Sequence, residues 1–134
     1  MVIGSHGSTH RILTQLNDAE LYAELKNSKD ALEQHLGISV DDLSIPRGFY
    51  DQRVLQVAGA VGYKNIFTSE ESPQQVNCYG RIAVKSNWTE ERLLQALVGK
   101  VPASEKIFDL AKRVAKRCLG TSGYNYVRQA FLKE

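Results

Sequence analysis

Between Val2 and Thr68 short apolar runs alternate with longer stretches of helical periodicity, and this alternation limits the fold more than any other feature of the chain. Val2-Ile3 reads as the end of a buried strand. Asn17 followed by Glu20 forms a capping box, after which Leu21, Leu25, Leu32 and Leu36 recur at helical spacing as far as Gly37. Leu43-Ser44-Ile45 reads as a second short strand, ended by Pro46 and Gly48. Asp51 caps a second helix whose apolar stripe is Val54, Val57, Ala58 and Val61 and which stops at Gly62. Asn65–Thr68 follows as a further strand. Strand, helix, strand, helix, strand predicts βαβ crossovers, hence a parallel sheet buried on both faces, with functional residues at the C-terminal ends of its strands.

The remainder is less regular. Glu70 to Gly80 is polar and rich in turn formers, so it reads as a loop, and Arg81-Ile82-Ala83-Val84 as a strand. Thr89 with Glu90 and Glu91 opens a helix through Leu93, Leu94 and Leu97. Asn87-Trp88-Thr89 also matches a glycosylation acceptor, but Thr89 is read as the helix cap. Trp88 is either partly buried or a platform for a sugar ring. Two more helices are expected at Ala103–Leu119 and Tyr124–Leu132, broken at Gly120 and Gly123.

Charge is uneven. Residues 100–134 hold eight Lys or Arg against three Asp or Glu, whereas residues 1–99 hold nine against twelve. Lys112-Arg113 and Lys116-Arg117 are read as a solvated helix face in preference to a surface for an acidic partner or a membrane. Cys78 and Cys118 lack metal-type spacing and are expected as reduced thiols. No apolar run reaches bilayer length and no secretory leader is evident, so the expectation is a cytoplasmic protein without a membrane span.

The chemistry concentrates in Gly4-Ser5-His6-Gly7-Ser8-Thr9-His10. Two imidazoles four positions apart share one face of a helical turn and can converge on a metal ion, while the alternative is a pair of ordinary solvated histidines. Gly4-Ser5 and Gly7-Ser8 give a loop in which backbone can approach a ligand closely.

Ile-Gly-Ser-His-Gly-Ser-Thr-His, then a leucine-rich helix, then Ser44-Ile45-Pro46-Arg47-Gly48-Phe49-Tyr50-Asp51 resembles the middle of a polysaccharide deacetylase, the family with the NodB homology domain. The likeness runs from Met1 to about Glu70. It implies a partial (β/α) barrel: an α/β fold with a parallel sheet of three or four strands, flanking helices and a helical C-terminal tail. In domain terms, residues 1–85 would be a partial deacetylase-like domain and residues 86–134 a helical extension packed on it.

By the same resemblance His6 and His10 would ligate a divalent metal, zinc above all, and Pro46, Arg47 and Gly48 would form the substrate wall, with the Arg47 N–H facing the developing oxyanion. The implied reaction is hydrolysis of the acetamide of an N-acetylated sugar or polysaccharide, with a metal, a carboxylate base and a histidine acid. Only five residues precede His6, which leaves no place for the family's earlier aspartate pair, and Ser44 stands where the family often has arginine. His35 reads as a solvated surface residue, and no catalytic acid or base is assigned. The expectation is therefore a truncated, weakly active or inactive deacetylase, or a non-catalytic remnant that binds a glycan or a protein. An edge left open beside Val2-Ile3 further predicts a homo-oligomer. Nucleic acid is not expected as a partner.

Overall fold

The structure is a computed structural model that describes residues 1–69, 75–82, 84–100 and scattered positions between 102 and 123. The chain forms two compact units, Met1–Arg81 and Ile82–Glu134.

In the first unit, helix α1 (Asp18–Leu36) starts where the sequence placed its cap. The Asn17 side chain accepts from the Glu20 N–H, and the Glu20 carboxylate accepts from the Asn17 N–H. The helix ends on Gly37 in the left-handed region (φ 66°), where a side chain would be strained. Strand β1 (Asp42–Ser44) follows, then a short 3-10 turn at Pro46–Gly48, helix α2 (Gln52–Val61), strand β2 (Asn65–Thr68) and strand β3 (Cys78–Gly80). Asp51 caps α2 by accepting from the Val54 N–H at 2.8 Å, and Gly62 ends it at φ 99°.

The three strands are parallel in the order β1-β2-β3, with Leu43 opposite Ile66 and Ile66 opposite Cys78. Side chains alternate across a strand, so Leu43, Ile66 and Thr68 turn to one face while Asp42, Ser44, Asn65 and Phe67 turn to the other. The first face, with Ile45, packs on Leu21 and Leu25 of α1 and Val54, Ala58 and Val61 of α2. The second stays part-exposed, so the sheet is not buried on both faces as the crossover pattern predicted.

Two further expectations are corrected. Val2-Ile3 is not a strand: Val2 is exposed, and the segment meets the sheet through a single parallel bridge between Ser5 and Leu43. That bridge has two hydrogen bonds, Ser5 N–H to the Asp42 carbonyl (2.8 Å) and Ser44 N–H to the Ser5 carbonyl (2.9 Å). The third sheet strand is Cys78–Gly80, inside the stretch read as loop, whereas Arg81, Ile82 and Val84 are not in a strand. The reason is register. Asn77, at φ 61°, turns the chain so that its carbonyl meets the Ile66 N–H at 2.9 Å, which places Cys78–Gly80 against β2.

Carboxylates tie the entry to β1. Glu33 accepts from the Val40 N–H (2.9 Å) and pairs with Lys29 (2.9 Å), and Asp41 pairs with Lys64 (2.8 Å). The Val40 N–H, then Lys29, holds the Glu33 carboxyl below its ordinary value of 4.5, and Lys64, then Ser39, holds Asp41 below 3.8. A carboxyl with a lowered folded-state pKa stabilises the fold above its unfolded-state pKa, and that contribution is lost as pH falls through the folded value. Thermal melts recorded from about pH 6 to about pH 3 should therefore show a falling midpoint below about pH 4.5, and Glu33→Gln or Asp41→Asn should flatten that slope. Slopes unchanged in both variants would assign the acid sensitivity elsewhere.

The second unit contains helix α3 (Glu90–Leu97), capped by the Thr89 hydroxyl, which accepts from the Arg92 N–H, and begun with Glu90 and Glu91. Trp88 is half-buried with the Arg92 guanidinium 4.3 Å from its ring centre, so one of its faces is already covered. Cys78 and Cys118 are free thiols. The helices expected at Ala103–Leu119 and Tyr124–Leu132 lie largely outside the described residues. No helix among the described residues is long and apolar enough to cross a membrane.

Candidate functional site

The Ser5 bridge delivers His6 to the end of β1. His6 Nδ1 lies 2.7 Å from the Ser44 carbonyl. A carbonyl can only accept, so Nδ1 carries the proton and the lone pair of Nε2 stays free, as a metal-ligating imidazole requires.

The path from His6 to His10 is not the helical turn that the spacing suggested. Gly7 and His10 both lie in the left-handed region, at φ 76° and 59°, and the intervening residues form a tight loop. The rings nevertheless converge, with centroids 4.9 Å apart and planes tilted by 54°. Two imidazoles on one tetrahedral zinc, with Zn–N of about 2.0–2.1 Å, would have ring centres roughly 5 Å apart. The centroid spacing of the pair therefore matches that of two zinc-bound imidazoles, and His6 has the tautomer such a ligand needs. A complete set does not form here: among the described residues no group of three or more His, Cys, Asp or Glu converges.

The second motif lies alongside. Pro46 and Gly48 are buried, while Arg47 takes φ 56° and lines a hollow with His10, Thr9 and Leu16. Among the described residues the Arg47 N–H has no hydrogen-bond acceptor, so it remains available to a ligand. Gly48 could be nothing larger. Its φ is 70°, and a Cβ there would fall 1.9 Å from Ser69 Oγ.

Two residues that the sequence pattern did not single out complete the surroundings. Arg81 reaches back from the end of β3 and donates through Nη1 to Ser44 Oγ (2.6 Å) and through Nε to the Thr68 carbonyl (3.1 Å). A guanidinium thus meets position 44 in space from position 81. Arg81, His6, Asp42, Ser44 and Phe67 border an open hollow of about 550 Å³ on the uncovered face of the sheet. Glu24 of α1, only 7% exposed, grips the loop from behind through Thr9. Asp51, a candidate stand-in for the missing carboxylate, is engaged as the α2 cap, and Glu70 lies outside the described residues. His35 is exposed at the end of α1, with Nδ1 on the Ala31 carbonyl.

An incomplete (β/α) barrel with a histidine pair at its strand ends defines the class, and comparison with known proteins supplies the family. Residues 1–66 match the family model described as polysaccharide deacetylase, which is consistent with a partial domain of that kind. Among solved structures, the Streptococcus pyogenes deacetylase PplD in complex with acetate is similar at 27% identity and a TM-score of 0.62, over 69% of this chain and 42% of that one. IcaB from Ammonifex degensii shares the fold at 18% identity and a TM-score of 0.57, over 75% of this chain and 47% of that one. The chain thus spans less than half the length of either. No curated protein matches it.

Proposed function

We propose that this chain carries the histidine side and the proline–glycine wall of a metal-dependent deacetylase site, which acts on the acetamide of an N-acetylated sugar or polysaccharide. The observation that carries this reading is the imidazole pair, with centroids 4.9 Å apart and the His6 Nδ1 proton spent on Ser44. The acetate bound to the Streptococcus pyogenes deacetylase is the acid that such a cleavage would release.

His6 and His10 would hold a divalent ion, zinc by choice of ligand, and such an ion polarises an acetyl carbonyl and acidifies a water. The Arg47 N–H would donate to the oxygen that gains charge as water adds to the carbonyl carbon, an interaction worth a few kcal/mol when aligned. A working site would further need a carboxylate to take the water's proton, and among the described residues none joins the pair, so it would have to come from beyond them or from a second chain. A second chain could pair beside Val2-Ile3, where among the described residues only the Ser5 bridge occupies the edge, so a homo-oligomer belongs to this proposal. The alternative, a non-catalytic remnant that binds a glycan or a protein, draws on the absence of a third converging ligand among the described residues.

Titration with zinc or cobalt separates the two. One ion per chain should bind with modest affinity, and His6→Ala or His10→Ala should each weaken it by about tenfold or more. Binding indifferent to both substitutions would refute the metal reading and leave the remnant.

A further inference from the structure

Glu24 is a buried carboxylate, and no Lys or Arg forms an ion pair with it among the described residues. A buried charge without a cation is held only where its hydrogen bonds are good. Both of its oxygens are used on one residue: Oε1 accepts from the Thr9 N–H at 2.7 Å and Oε2 from the Thr9 hydroxyl at 2.9 Å. Two bonds to one residue fix its rotation as well as its position. Thr9 is the residue before His10.

The neighbouring contacts act on the same loop. Ser8 Oγ donates to the Glu24 carbonyl at 3.1 Å, and Ser5 Oγ pairs with Ser28 Oγ at 2.7 Å one turn further along α1. Gly7, at φ 76°, lies so close that a Cβ would come 2.9 Å from Glu24 Oε1. Among the described residues the sheet holds the segment through the Ser5 bridge and the bond from His6 Nδ1 to the Ser44 carbonyl, both before Gly7.

We infer that Glu24 is the positioning residue of the histidine pair: it fixes the left-handed turn at Thr9-His10 that brings the two imidazoles to the separation one metal ion needs. It touches neither ion nor substrate. Helix α1 itself rests on its cap and on Leu21 and Leu25, so removing the carboxylate should loosen the loop and leave the helix in place. The inference rests on the metal reading for its function, but the ring geometry can be read without metal.

The test compares wild type, Glu24→Ala, Glu24→Gln and Thr9→Val as full chains. Glu24→Ala should lower zinc and cobalt affinity by about ten- to a hundredfold, as loss of an outer-shell partner does, and should remove the nuclear Overhauser contact between the His6 and His10 rings in metal-free protein. Glu24→Gln keeps an acceptor for the Thr9 N–H and should restore most of both. Thr9→Val removes only the hydroxyl bond and should fall between, so the inference stays testable if Glu24→Ala does not fold. Unchanged ring contact and affinity in Glu24→Ala and Thr9→Val would overturn it, as would a wild type without ring contact. A wild type that shows the ring contact but binds no metal sensitive to His6→Ala would sink the metal reading; loss of that contact in Glu24→Ala would then still establish the positioning role.

Discussion

Acetate release from N-acetylglucosamine oligomers by this chain, with zinc or cobalt added, is expected to stay at the level of a His6→Ala control. Hydrolysis of an acetamide needs a base for the attacking water, and general base catalysis alone is worth a factor of about a hundred to ten thousand. Among the described residues no carboxylate joins His6 and His10, and Asp51 is committed to the Val54 N–H. Among the described residues no third protein ligand joins the pair either, so ion occupancy should limit the rate as well. Metal-dependent turnover that His6→Ala abolishes would contradict this and would direct the search for the carboxylate to Glu70 or to a second chain.

Gly48→Ala should destabilise the first unit by about 2–5 kcal/mol, a large share of the roughly 5–15 kcal/mol that holds a domain together. A left-handed residue with a Cβ loses about 1–2 kcal/mol, and forcing atoms into a filled space adds about 1–3 kcal/mol. Both apply at Gly48, where φ is 70° and the new Cβ would sit 1.9 Å from Ser69 Oγ and 2.6 Å from Ser69 Cβ. Gly59 is the internal control: it lies within α2, where an added methyl would meet no atom within 4 Å, so Gly59→Ala should stabilise by about 0.5–1 kcal/mol. Urea denaturation of both variants measures the contrast, and a Gly48→Ala change below about 1 kcal/mol would mean that the Pro46–Gly48 turn yields easily.

The helices were legible because their ends are written in local chemistry. Asn17 with Glu20, and Asp51 with Gly62, fix α1 and α2 through groups a few residues apart. Strand β2 was legible from Asn65–Thr68 itself. Strand β3 was not, since Cys78–Gly80 becomes a strand only through its register with Ile66. The histidine pair was found by the wrong route: its spacing suggested a helical turn, whereas Gly7 and His10 bring the rings together with left-handed backbone. The supports of the site were silent in the sequence for a related reason. Glu24 is 15 positions from Thr9, and Arg81 is 37 from Ser44, so neither belongs to a local pattern. Only the folded sheet makes them neighbours.

The reach of Arg81 bears on where a functional module can be cut. The family match closes at residue 66, two residues before the end of β2, yet the guanidinium that meets Ser44 comes from residue 81. A graft or truncation drawn at the homology limit would remove Thr68, all of β3 and Arg81 together, and with them Ser69, the neighbour that demands glycine at position 48. The smallest portable version of this site therefore extends at least to Arg81, beyond the region in which its ancestry is legible.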